Sequence, residues 1–146
     1  MLEYAAPIWS PLDVASSTRL ELVQRRFTKH VAGLYCKSYD ERCICLELPS
    51  LKLRRDFLTV CLVYKILHNY FNVPPESVGL TLSYNNTRSR GIKLHVPRPL
   101  CSVFKSSFMY RATTLWNSLP YNVLQSNNIA NFKSAVLHHW RAEGAL

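Results

Sequence analysis

The stretch SLKLRRDFLTVCLVYKILHNYF, Ser50 to Phe71, constrains the fold more than any other part of the chain. At about 100° per residue, Leu53, Phe57, Val60, Cys61, Tyr64, Leu67 and Phe71 share one face of a helix. Leu58, Leu62, Val63 and Ile66 carry apolar surface around much of the remainder. A helix apolar on most sides must be enclosed by others, so this one is expected at the centre of a helical bundle. Its polar residues Lys52, Arg54, Arg55 and Asp56 gather near its start, and VPP at Val73–Pro75 terminates it. The longest apolar run inside it, FLTVCLVY, is closed by Lys65 and is too short to span a bilayer.

The flanking segments supply the elements that could enclose it. LEYAAPIWSP reads as the end of a helix and a break, since Pro7 and Pro11 each stop regular structure. A second helix is expected over about 13–32, with Gly33 as its C-terminal cap. Ser38 with Glu41 is a capping-box signature for a short helix over 39–46, and Ser50 can cap the next. From Glu76 to about Ser106 the period changes: Leu80, Leu82 and Tyr84 alternate with polar neighbours, as do Ile92, Leu94 and Val96. Around the turn-rich NNTRSRG this reads either as a hairpin with Arg88 and Arg90 near its tip or as an ordered loop without strands. Ser106 or Ser107 caps a helix carrying Phe108, Ala112, Leu115 and Trp116. Asn127 or Asn128 caps a last one carrying Ile129, Phe132, Val136, Leu137 and Trp140.

The expected fold is therefore mainly α: a small helical bundle around the apolar helix at about 51–71, with a less regular middle segment in which a short β-hairpin over about 80–96 is one of the two readings. Three parts, 1–72, 73–106 and 107–146, are expected to share one core in one domain. Phe27, Phe57, Tyr64, Trp116, Phe132 and Trp140 are its expected large members.

Charge points to a class of partner. Among 146 residues, 18 Lys and Arg against 9 Asp and Glu give a net charge of +9, which favours anionic partners, nucleic acid first. No carboxylate occurs between Glu76 and Glu143, whereas Arg88, Arg90, Lys93, Arg98, Lys105, Arg111, Lys133 and Arg141 all do. The second helix concentrates the pattern in RLELVQRRFTKHVAGL. Leu20, Val23, Phe27, Val31 and Leu34 form an apolar stripe expected to enter the core, and Arg19, Arg25, Arg26 and Lys29 form a basic ridge opposite. The ridge is a candidate for phosphate contacts, as are Arg88, Arg90 and Lys93 of the middle segment. Its bland counterpart is a solvated helix face, with Glu21 paired to Arg25 four residues on.

No catalytic constellation stands out. There is no G-x-S-x-G, no H-E-x-x-H and no glycine-rich phosphate loop. Asp13, Asp40 and Asp56 show no spacing that would gather metal ions, so no cofactor or metal is expected. Cys43 and Cys45, two apart on a helix, point about 200° from one another and cannot easily share an ion. Five cysteines without framework spacing fit a reducing, intracellular setting, nucleus or cytoplasm, and no secretory leader is visible at the amino terminus.

Taken in order, LEYAAPIWSP, LELVQRRFTKHVAGL, SYDERCICLELPSLKLRRDFLTVCLVYKILH, VPPE, TRSRG and WNSLP resemble the C-terminal part of reverse transcriptases from non-LTR (LINE-type, jockey-like) retrotransposons. The likeness runs from Leu2 to about Lys133. It implies a helical, thumb-like segment that holds RNA or an RNA/DNA duplex, with the polymerase palm and its metal-binding aspartates upstream. On that reading Met1 is an internal methionine of a longer frame, and polymerase activity does not carry over to any residue here. The zinc knuckle of some relatives does not fit these Cys and His spacings. Loss of the palm would leave an apolar face near Tyr4, Ile8 and Trp9 open to self-association. Two other functions stay open: a domesticated helical module that binds a protein, and a translated relic with no selected role.

Overall fold

The computed structural model describes residues 3–11, 13–83, 93–99 and 101–144. The described chain is mainly helical, a small bundle in the expected order. Its helices are α1 (Ala6–Trp9), α2 (Val14–Lys29), α3 (Tyr39–Cys45), α4 (Leu51–Leu67), α5 (Ser102–Lys105), α6 (Phe108–Ser118), α7 (Tyr121–Leu124) and α8 (Ile129–Ala142), with a 3-10 turn at Pro75–Val78.

Local chemistry sets most of the helix starts. Asp13, Ser38, Ser50, Ser107 and Asn128 each accept a hydrogen bond from a backbone N–H of the first turn. Ser38 and Glu41 complete a reciprocal capping box. Two helices stop earlier than their apolar pattern. α2 ends at Lys29, and His30 rather than Gly33 closes it. α4 ends at Leu67, because Asn69 takes a left-handed φ of 56° and the N–H groups of Asn69 and Tyr70 turn back to the carbonyls of Ile66 and Lys65. That is a Schellman ending with Asn in the usual place of Gly. Phe71, expected on the α4 face, lies beyond this stop and is half exposed.

α4 is packed by α1, α2, α6 and α8. Its C-terminal two-thirds carries the apolar core. Tyr64 stacks on Phe132 at 4.5 Å between ring centroids, and Trp116 stacks on Phe132 at 5.7 Å. The Tyr64 hydroxyl donates to the Ser126 carbonyl at 2.8 Å, so the ring is buried without stranding its polar end. Tyr64, Trp116, Phe132 and Trp140 are buried as expected, and Phe57 packs edge-on against Trp140. Phe27 does not join them: it is 68% exposed.

The middle segment reaches this core through Leu80 and Leu94. Gly79 enters it with φ 74°, and an added Cβ there would lie 2.3 Å from the Met109 sulfur, so a side chain would strain the backbone and displace Met109. The two alternating runs do meet: Leu82 and Leu94 form an antiparallel bridge, flanked by Ser83 N–H to Lys93 O and His95 N–H to Thr81 O, both 2.8 Å. Among the described residues the pairing goes no further and no strand forms. On the other edge of this run the Asn117 side chain takes both the N–H and the C=O of Leu94, which point away from Leu82, and ties the segment to α6. The expected hairpin tip lies outside the described residues.

Candidate nucleic-acid interface

The orientation of α2 decides what its basic ridge can reach. The side of α2 that packs inward is polar. Ser17, Glu21, Gln24 and Thr28 follow one another at four, three and four residues, and Gln24 and Thr28 are buried. Gln24 Nε2 donates to the Tyr39 hydroxyl and to the Pro49 carbonyl, each at 3.1 Å, and Arg54 donates to Gln24 Oε1 at 3.2 Å. Glu21 accepts from the Tyr39 hydroxyl and from the Leu51 N–H. Burial, with Glu21 second, pushes the Tyr39 phenol well above its ordinary range. Arg42, itself buried, donates to Thr28 Oγ1 at 3.1 Å and to the Arg25 carbonyl at 3.4 Å. The dense bonding of this face has a simple reason: a buried amide or guanidinium left unpaired would cost more than the helix gains by docking.

This corrects the expectation for the stripe Leu20, Val23, Phe27, Val31 and Leu34. Leu20, Val31 and Leu34 are half-buried at its inner margin, whereas Val23 and Phe27 face outward, as does Leu22. The ridge residues are also outward: Arg19, Arg25, Arg26 and Lys29 are all exposed. By helical angle they share a contiguous outer arc that passes through Leu22 and runs on to Val23 and Phe27. Arg25 lies over the Tyr39 ring at 4.7 Å, and Lys29 over the Tyr35 ring at 5.9 Å, which props both cations on the surface. The one carboxylate within α2, Glu21, points the other way and does not pair with Arg25.

The other candidates fare differently. Lys93 turns inward: its ammonium donates to the carbonyls of Asn117 at 2.6 Å and Leu119 at 2.7 Å, at the C-terminal end of α6. Burial lowers its pKa from the ordinary lysine value. Arg88 and Arg90 lie outside the described residues. The site that remains is thus the outer face of α2, with Phe27 and Val23 as members that periodicity assigned to the core. A legible signal for them was the polar series Ser17, Glu21, Gln24, Thr28, which has the spacing of an inward face and polar partners waiting on α3 and α4. Among the described residues no His, Cys, Asp and Glu side chains group in a set that could hold a metal ion, and no helix is long and apolar enough to cross a membrane. Comparison of the chain with protein-family models, with curated proteins and with solved structures finds no match.

Proposed function

We propose that this chain is the thumb-like C-terminal part of a non-LTR retrotransposon reverse transcriptase, without polymerase activity of its own, and that it binds RNA or an RNA/DNA duplex through phosphate contacts made by α2. The observation that carries the reading is the outer face of α2, where Arg19, Arg25, Arg26 and Lys29 stand exposed with no carboxylate among them. Cations held on a rigid helix neutralise backbone phosphates regardless of base sequence, and release of condensed counterions drives the binding. On the resemblance, the metal-binding aspartates of polymerisation belong to a part outside this chain, so the role proposed is binding alone.

The test is the salt dependence of binding to duplex RNA/DNA by the protein and by the double variant Arg26→Gln/Lys29→Gln. Both substitutions lie on exposed positions and should leave the fold intact. The slope of log affinity against log salt should fall by about 1 for each phosphate that is no longer neutralised. An unchanged slope in a folded double variant would reduce the ridge to a solvated face. It would also favour the second reading, a protein-binding helical module, for which the exposed Tyr4 (83%), Ile8 (72%) and Val14 (81%) speak.

A further inference from the structure

The outer face of α2 carries apolar surface that phosphate contacts alone leave unused. Val23 and Phe27, one turn apart, stand exposed in one row, and by helical angle Arg19 and Arg26, two turns apart, stand in the next. Among the described residues Phe27 makes no ring contact. Lys29, further round the same arc, is held over the Tyr35 ring. The carboxylates of this region lie elsewhere. Glu21 is bonded to the Tyr39 hydroxyl and the Leu51 N–H on the inner side. Asp13 is close to Arg19 and accepts from the Ser16 N–H, about 20 Å along the helix from Phe27.

A single exposed apolar side chain is ordinary; the informative feature is the register of this row with the cations beside it. A duplex cannot use that register. Its bases are stacked inside, its outer surface is sugar and phosphate, and the deep major groove of an A-form helix is too narrow for side chains to read. Phe27 laid against a row of phosphates would set apolar surface on charge and gain nothing. An unpaired strand fits, because it offers phosphates along one edge and, along the other, bases whose faces can lie on an aromatic ring. A protein partner would have to present carboxylates opposite Arg19, Arg26 and Lys29 in this same register, whereas a strand carries a phosphate at every nucleotide.

We propose that the outer face of α2 takes an unpaired stretch of RNA, with one base stacked on Phe27, its sugar against Val23, and the adjoining phosphates on Arg26 and Lys29. The proposal rests on the reading of α2 as a nucleic-acid face and narrows it, from any phosphate backbone to a single strand.

Fluorescence-anisotropy titration of the full chain tests it, with an oligouridylate, an abasic strand of the same length and an RNA/DNA duplex as labelled probes. Phe27→Ala should weaken the oligouridylate by about fivefold, the lower end of what one base–aromatic stack contributes, and leave the abasic strand and the duplex unaltered. The salt slope of this variant should match that of the original chain, because no phosphate contact is lost. Phe27→Leu, which keeps apolar bulk without a ring face, should lose as much as Phe27→Ala. Equal losses on the oligouridylate and the abasic strand, no loss on either, or full affinity in Phe27→Leu would each overturn the proposal while salt-dependent binding left the backbone reading of α2 standing. Absence of salt-dependent binding to all three probes by the folded protein would overturn both and leave the face to a protein partner.

Discussion

The two halves of this small bundle are held together by different physics. On the C-terminal side, α4, α6, α7 and α8 meet through Val60, Tyr64, Trp116, Phe132 and Val136, nearly all apolar and all buried. On the N-terminal side, α3 docks on α2 through Tyr39 and Arg42, and α2 docks on the start of α4 through Glu21, Gln24 and Arg54, a lattice of hydrogen bonds with no member in the apolar core. Apolar burial is non-directional and tolerates small shifts, so the first region gains its stability from area. The second gains specificity: each of its bonds fixes an angle, and any one left unpaired is costly. A polar seam also frees the apolar residues of α2 for the outside, which an apolar seam would not allow.

The largest effect that would sharpen this contrast is expected in the first region. Phe132→Ala removes the ring shared by Tyr64 and Trp116 and should cost about 3–5 kcal/mol in equilibrium unfolding, with loss of all helices together. A loss confined to α8 would show that the apolar half is not one unit.

Acid should separate the halves in the opposite sense. The Ser16 N–H holds the Asp13 carboxyl below its ordinary value at the start of α2, and the Ser38 N–H does the same for Glu41 at the start of α3. A carboxyl whose folded pKa is depressed stabilises the fold above its unfolded pKa and loses that contribution as pH falls through the folded value. The N-terminal helices should therefore loosen below about pH 4, given ordinary carboxyl pKa values of about 3.9 and 4.3. Asp56, raised by burial, has the reverse sign, because its protonation relieves a desolvated charge. Amide exchange at pH 5 and pH 3.5 checks this: protection should fall in α2 and α3 before it falls in α6 and α8. A uniform fall would remove the distinction.

What was legible in the sequence was what is decided locally or by sheer apolar content. The capping residues Ser38, Ser50, Ser107 and Asn128 act within four residues of themselves, and each caps the helix expected of it. The central place of α4 follows from its all-round apolar surface. The rotational setting of α2 was not legible, because it depends on partners 15 to 30 residues away, Tyr39, Pro49 and Arg54 on Gln24, whose combined bonds outweigh the burial of one phenylalanine. Lys93 was misplaced for a similar reason. Charge marks it as a surface cation, whereas the open carbonyls at the end of α6 draw it inward. For the candidate interface, the four cations of α2 were legible as a ridge, and their apolar neighbours Val23 and Phe27 were not.

The most direct measurement compares two variants one helical turn apart, Gln24→Ala and Phe27→Ala, by urea unfolding under the same conditions. With α2 docked by its polar side, Gln24→Ala strips partners from the Pro49 carbonyl and from Arg54 and should cost about 1–3 kcal/mol. Phe27→Ala, at a site 68% exposed, should change stability by no more than about 0.5 kcal/mol. The reverse order, with Phe27→Ala costing about 3–5 kcal/mol as for a buried phenylalanine and Gln24→Ala close to neutral, would mean that α2 docks by its apolar stripe and that its outer face is not the one described.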